Sequence, residues 1–431
     1  MNRLIKEYPL FTVMIPTKNR ESYLYHTLKT CVNQDYPNYE IIVADDASTD
    51  NTVHMVKEFS EQYHCVRLFT QTDSLGMRDN FEFALNQVKP GYLIALGGDD
   101  GLLPDGISEM HKILTKYRVD LLTWAPPVFW YPFGEETNAQ LNVYKTKGVK
   151  IVNSIDFLNR QVENLNYLSD PECPMFYIKG VVKTDIVRKV RSRSKDGRFY
   201  RCPTPDGYSG IVLAGEVEKF AFSGKPLSVY GGSSESQGLS YLLNTDKAKR
   251  ESEFFYKKVQ EVPMHSELAK QPYSPLITLM TADYLLTARD LQKWGGKIKN
   301  IDYKKLINKS INELSKGLYN EARIGRELKI LKQIAIQHGL EDYFYLTIKN
   351  TKRKKKRKPF KGYGISFKIV FINATSMEIN NIFDASYGAK VIYALISQFN
   401  INIFFKILYK SLTYFFVKSK NDKEFPSEDR W

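Results

Sequence analysis

From residue 10 to residue 124, short apolar runs alternate with longer stretches of helical spacing. Leu10–Ile15, Tyr39–Ala44, Val66–Thr70, Tyr92–Leu96 and Val119–Trp124 read as buried strands. Between them, Ser22–Asn33 places Leu24, Leu28 and Val32 on one helical face. Asp50–Tyr63 is entered through Ser48-Thr49-Asp50, a capping sequence, and Met77–Val88 gathers Phe81, Ala84, Leu85 and Val88. Pro104–Tyr117 opens with a proline in its first turn. Such alternation predicts right-handed βαβ units and an α/β fold with a mainly parallel sheet covered on both faces. Further on, residues 125–170 have no clear period and 175–182 read as a strand. A basic loop runs from Arg188 to Arg201, a helix begins near Pro205-Asp206-Gly207, and Leu227–Tyr230 is a strand. Residues 241–347 have a helical pattern throughout. The expected organisation is an α/β domain over 1–240, a helical region over 241–347, and a basic linker with an amphipathic tail over 348–431.

In a parallel sheet of this kind, ligands sit outside the carboxyl ends of the strands. Those ends carry Pro16-Thr17-Lys18-Asn19-Arg20, Asp45-Asp46-Ala47-Ser48 and Gly97-Gly98-Asp99-Asp100. Gly and Asp are ordinary turn residues, so the last stretch alone could be a solvated turn. Three polar loops meeting at one edge point instead to a site. Adjacent carboxylates repel each other, and a divalent cation held against a diphosphate is the simplest partner for them.

Composition changes this picture in one respect. Hydrophobic content of 43% and charged content of 26% are those of an ordinary globular protein, but the net charge is +14. That excess calls for an anionic partner, and part of it is local. Lys352–Lys358 is an unbroken basic run, followed by the apolar stretch Phe399–Val417. In a helix the latter would put Lys406, Lys410 and Thr413 opposite Phe404, Leu408 and Phe415. Basic run and amphipathic segment together, residues 352–417, fit an anionic membrane surface. The bland alternative is a helix packed on its own protein beside an exposed basic run. Four scattered cysteines form neither a disulfide framework nor a zinc site. Met1–Glu7 lacks the apolar core of a secretion signal, and no stretch of about 20 apolar residues occurs. The expected location is the cytoplasm, peripheral on the inner face of the cell membrane.

Four ordered motifs carry a family resemblance. Phe11–Arg20 is similar to the first strand and loop of family-2 glycosyltransferases of the GT-A fold. Ile41–Thr52 resembles their second strand and acidic loop, and Gly76–Asn80 their Gly/Arg/Asn segment. Gly97–Pro104 stands where they place a metal motif. The resemblance covers about residues 8–240. It implies an inverting hexosyltransferase that moves a sugar from a nucleotide-diphosphate donor, a UDP-sugar, to a hydroxyl of a glycan or glycolipid, as in polysaccharide biosynthesis. It implies a nucleotide site made of Pro16, Thr17, Asn19, Arg20, Asp45, Asp46, Arg78, Gly98 and Asp99. Mn²⁺ or Mg²⁺ would be held by Asp99 with Asp100 in support, and the general base would be Asp206.

The chemistry of the residues agrees. A carboxylate such as Asp46 or Asp45 can accept the ring N–H of a base, and the fork of Arg78 suits a phosphate. A carboxylate at a helix start can deprotonate an attacking hydroxyl. As a plain structural residue Asp206 would be a helix cap, Arg20 a helix-surface arginine, and Arg78 one partner of a surface ion pair. Asp170 and Glu172 are weaker candidates for the base. Trp124, Trp130, Tyr131 and Tyr208 could stack on a sugar, although core positions suit them equally. One departure stands out: the first Asp of the family's metal motif is Gly97 here. The alternative it raises is a weak or inactive sugar-nucleotide-binding relative. A sugar-phosphate nucleotidylyltransferase would need a glycine-rich loop after the first strand, which Pro16–Arg20 is not. A protein binding membrane or nucleic acid through its basic tail would leave the acidic loops unexplained, and no nucleic acid is expected as a partner.

Overall fold

The computed structural model describes residues 8–132, 138–236, 262–354, 364–366 and 368–398. Its first part follows the expected alternation: β1 (Phe11–Thr17), α1 (Glu21–Val32), β2 (Tyr39–Asp45), α2 (Thr52–Gln62), β3 (Val66–Thr70), α3 (Met77–Leu85) and β4 (Tyr92–Ala95). Every residue of β1 is buried, as in a strand covered on both faces. Its side chains alternate: Phe11, Val13 and Ile15 pack with Leu28 of α1 and Val56 of α2, and Met14 packs with Phe81 of α3 on the other side. β1 runs parallel to β2 and β4, and β2 to β3. The residues after Thr17, Asp45 and Ala95 therefore emerge along one edge.

Past β4 the sheet becomes mixed. The chain continues through β5 (Gly101–Leu102), α4 (Gly106–Tyr117), β6 (Leu121–Trp124), β7 (Val128–Trp130), β8 (Gln140–Tyr144), β9 (Val149–Asn153) and α5 (Ser154–Asn164). It then forms β10 (Gly180–Lys183), α6 (Thr184–Arg193), α7 (Asp206–Ala214), β11 (Lys219–Ser223) and β12 (Ser228–Gly232). β10 inserts between β4 and β6, antiparallel to both, giving the order β3-β2-β1-β4-β10-β6-β11-β9. The run 175–182 is not one strand. Ile178 adopts a left-handed φ of 66°, an unusual conformation for a β-branched residue, and regular pairing begins only at Gly180.

A second sheet, ordered β13-β14-β8-β7-β12-β5, includes β13 (Gly364–Ile365) and β14 (Ile369–Asn373). Helices α8 (Ile277–Arg289), α9 (Tyr303–Leu314), α10 (Glu321–Gln337) and α11 (Glu341–Asn350) share one apolar cluster with α5, α7 and one face of the larger sheet. Within the stretch expected as linker and tail, β14 pairs with β8. There too, α12 (Ile382–Gln398) places Ile382, Ala385 and Ala389 in an apolar cluster against which Tyr23 of α1 packs. The apolar segment Phe399–Val417 and residues 355–358 of the basic run lie outside the described residues. No described helix is long and apolar enough to cross a membrane.

Candidate active site

A cavity of about 2370 Å³ opens along the carboxyl edge of the first four strands and runs on to the helices of the second half. Single small-molecule sites usually occupy about 300–1,000 Å³, so there is room here for more than one reactant. Pro16, Thr17, Asn19, Arg20, Asp46, Arg78, Gly98, Asp99 and Asp206 all line it. Asp45 and Asp100 do not.

The first two loops are stitched together. Asn19 and Ala47 hold left-handed φ values of 51° and 57°, uncommon for non-glycine residues and frequent at functional sites. The Asn19 amide donates to Ser48 Oγ at 2.8 Å, and Asn19 Oδ1 accepts from the Thr49 amide at 2.8 Å. Asp45 is turned inward, and its carboxylate accepts the amide and hydroxyl of Ser48. Of the two carboxylates it is Asp46 that reaches the cavity, and Asp45 shapes the loop beneath it. Asp46 Oδ1 accepts from the Leu75 amide at 2.6 Å, and Oδ2 from Ser74 Oγ at 2.7 Å and the Gly76 amide at 3.2 Å. A carboxylate has about four acceptor positions, so one remains for a ligand. Thr17 Oγ1 is buried in the cavity wall and has no hydrogen-bond partner among the described residues. The fork of Arg78 is engaged by Asp79 at 2.8 and 3.2 Å, so a phosphate would have to compete for it.

The turn after β4 is built around Asp100. This carboxylate is fully buried; Oδ2 accepts from the Gly97 amide at 2.7 Å and Oδ1 from the Gly231 amide at 2.9 Å. Burial and the neighbouring charge of Asp99 push its pKa well above the usual range. Bound to backbone through both oxygens, Asp100 is a strap between β12 and the turn, and it does not line the cavity. The approach is so close that a Cβ on Gly231 would lie 1.8 Å from the Asp99 carbonyl oxygen, so glycine is required there. Gly97 has a similar explanation. A Cβ would meet Asp100 Oδ2 at 2.7 Å and the Tyr177 hydroxyl at 2.8 Å, so the Asp that the family motif places at this position would have to push both side chains aside.

Asp99 faces the cavity. Its Oδ2 accepts from Ser233 Oγ at 2.6 Å and Ser236 Oγ at 3.1 Å, while Oδ1 has no hydrogen-bond partner among the described residues. Arg20 packs its stem on Gly98 and clasps Glu235, with Nη1 to Oε2 at 2.9 Å and Nη2 to the carbonyl at 2.7 Å. Among the described residues there is no cluster of three or more His, Cys, Asp or Glu that could hold a metal by itself. A lone carboxylate oxygen at the cavity edge fits a cation that takes its other ligands from a diphosphate and water.

Asp206 is the first residue of α7 and is half-buried in the cavity wall. Oδ2 accepts from the Tyr167 hydroxyl at 3.1 Å; Oδ1 is buried and has no hydrogen-bond partner among the described residues. Burial pushes its pKa up, and the Gly207 amide with the Tyr167 and Tyr284 hydroxyls opposes this only in part. A half-buried carboxylate with one open oxygen and a raised pKa is equipped to take a proton. Asp170 and Glu172 are instead tied up with Arg160, at 3.3 and 2.6 Å. Trp124 and Tyr208 are fully buried, and of the four aromatic candidates only Trp130 lines the cavity.

Residues 12–182 match the family model described as Glycosyl transferase family 2. This segment is a family-2 glycosyltransferase domain. Glycosyltransferase GlyA of Streptococcus pneumoniae is 32% identical to the chain over 110 residues, which is 26% of this chain and 16% of that protein. The poly(ribitol-phosphate) beta-N-acetylglucosaminyltransferase TarS of Staphylococcus aureus is 26% identical over 114 residues, 26% of this chain and 20% of the enzyme. The chain thus spans no more than a fifth of either curated relative. The crystal structure of TarS residues 1–349 with UDP-GlcNAc superposes with a TM-score of 0.45 at 15% identity, covering 79% of this chain and 90% of that one.

The family-2 domain supplies Thr17, Asp46 and Asp99. Asp206, Ser233, Glu235 and Ser236 lie beyond the matched segment. The partners Ser233 and Ser236 went unnoticed in the sequence, although Gly231-Gly232-Ser233-Ser234 at a strand end was a usable signal. Tyr284, close to Asp206, gave none.

Proposed function

We propose that the chain is an inverting, metal-dependent glycosyltransferase of hexosyltransferase type. It moves a sugar from a nucleotide-diphosphate donor, a UDP-sugar, to a hydroxyl of a glycan or glycolipid. The observation carrying this reading is that Asp99 and Asp206 line one cavity, each with an oxygen that makes no hydrogen bond among the described residues. Thr17 and the open acceptor position of Asp46 bind the nucleoside. A divalent cation, Mn²⁺ or Mg²⁺, bound at Asp99 would offset the charge that the departing diphosphate gains. Asp206 Oδ1 takes the proton of the acceptor hydroxyl as its oxygen attacks the anomeric carbon from the side opposite the diphosphate. One bond forms as the other breaks, with no enzyme-bound sugar, and the anomeric configuration inverts. The test is a panel of UDP-, GDP- and dTDP-sugars incubated with the protein and Mn²⁺, followed by nucleotide release and binding. Release from a UDP-sugar is expected. If every donor stays intact and none binds, the reading fails.

The same proposal has the enzyme peripheral on an anionic membrane through residues 352–417. Supporting this, α12 turns Tyr387, Val391 and Leu395, the last two 59% and 60% exposed, to its outer side at spacings of four. Cosedimentation with anionic vesicles is expected to drop when Val391→Asp and Leu395→Asp are combined in the full chain. Equal sedimentation of variant and parent would overturn the attachment.

A further inference from the structure

The cavity that holds Asp206 is also lined by four lysines. Lys309 comes from α9 and Lys316 from the turn just after it, while Lys145 and Lys368 meet where β8 and β14 pair, the Lys145 amide donating to the Lys368 carbonyl at 2.9 Å. Among the described residues none of these four lysines has a carboxylate within ion-pairing distance. Glu313, between Lys309 and Lys316 in the sequence, is otherwise engaged. Its Oε1 accepts from the Ile277 amide at 2.9 Å, and its Oε2 from the Thr278 amide at 3.1 Å and hydroxyl at 2.8 Å. Its charge is thereby committed to the N-terminus of α8. Burial and the positive charges of Lys305 and Lys316 hold the Lys309 ammonium below its usual range, as expected for a cation facing other cations without a counter-ion.

Lys309 lies within α9, and Lys316 stands just past its C-terminus, on the turn after Leu314. Leu168 and Leu318, exposed at 59% and 48%, and Tyr319 line the same cavity. Exposed apolar side chains beside unpaired ammonium groups suit a ligand with sugar faces and repeated negative charges. At 2370 Å³ the cavity is more than twice the upper end, about 1,000 Å³, of the usual range for one small-molecule site.

We infer that the acceptor is an anionic glycan, a chain carrying phosphodiester or carboxylate groups, which lies in this cavity with its negative groups on Lys309, Lys316, Lys145 and Lys368 and its reacting hydroxyl at Asp206. This rests on the glycosyltransferase reading for the reaction, but binding can be tested apart from it.

The experiment is fluorescence anisotropy of the full-length protein with three labelled oligomers of equal length: a glycerol-phosphate oligomer, a glucuronate-containing oligosaccharide and a neutral maltooligosaccharide. Both anionic classes are tried because the lysines read the charge they share, and the stronger binder identifies its source. At least one anionic oligomer is expected to bind, more weakly as salt rises, and the neutral one is not. The double variant Lys309→Ser, Lys316→Ser is expected to bind the anionic oligomer about tenfold more weakly, the loss of two partly exposed charge contacts. A thermal melt superposable on the parent's confirms that it is folded. If the double variant melts early, Lys145→Ser with Lys368→Ser replaces it. Neutral and anionic oligomers bound equally well, no anionic oligomer bound, or undiminished binding by a folded double variant would each overturn the inference. UDP binding by the parent protein is measured alongside. Its absence with oligomer binding intact removes the donor reading and leaves this one standing; its presence without oligomer binding does the reverse.

Discussion

Asp206→Asn is expected to lower sugar transfer by roughly 10²–10⁴-fold, the usual worth of a positioned general base, while raising the melting temperature of the protein. Both effects come from one fact: Asp206 is a half-buried carboxylate whose buried Oδ1 makes no hydrogen bond among the described residues. Burial raises its pKa in the folded protein, so the folded state holds this proton more tightly than the unfolded chain does. The stabilisation linked to that proton is complete below the unfolded pKa and is lost as pH rises through the folded one. Near neutral pH the ionised group therefore weighs against folding. Asparagine removes the charge, and its carbonyl can still accept from Tyr167. For activity the sign is opposite. A base must be ionised, so the parent enzyme should lose transfer on acidification at a higher pH than an ordinary aspartate would cause. Transfer rate against pH, and calorimetric melting of parent and variant, check both. Full-rate transfer by Asp206→Asn to the true acceptor would remove the residue from the mechanism.

Asp99→Asn is expected to abolish the metal response. The variant keeps a carbonyl for the Ser233 and Ser236 hydroxyls, so the turn has no reason to unfold. What it loses is the negative charge on the cavity side. A cation's contribution to stabilising a leaving diphosphate is several kcal/mol, which corresponds to a fall in transfer of roughly 10²–10³-fold. UDP affinity is the readout independent of turnover. In the parent, adding a chelator should weaken UDP binding; in the variant, affinity with Mn²⁺ should already equal the chelated value. A variant that still binds UDP more tightly with Mn²⁺ than without it would place the cation elsewhere.

These two carboxylates differ in how they could be found. Asp99 was legible because it closes an apolar strand at two glycines. Asp206 was legible as a helix-start aspartate, together with a family resemblance. What their neighbours do was not legible. Asp45 and Asp46 are adjacent and chemically alike, and only the fold of their loop, with Ala47 in a left-handed conformation, turns one inward and one to the cavity. Asp99 and Asp100 divide in the same way, because the amides of Gly97 and Gly231 claim both oxygens of Asp100. Gly97 reads in sequence as a missing ligand. In the structure it is the residue that makes room for Tyr177 and Asp100.

The sequence by itself determined the alternating strands and helices up to residue 124, the edge at which the first three polar loops emerge, and the family-2 character of that segment. Hydrophobic periodicity and turn-forming residues are local signals, and they act within a few positions of themselves. The tertiary structure decided which carboxylate of each adjacent pair faces the cavity. It inserted an antiparallel β10 between β4 and β6, and it brought Ser233 to Asp99 across 134 positions. It also brought Lys309 and Lys316 into one cavity with Lys145 and Lys368. Contacts of that range depend on how whole elements pack, which no local pattern of residues encodes. The same holds for the turn at Asp99: its chemistry could be read from four residues, and its geometry depends on a glycine in β12.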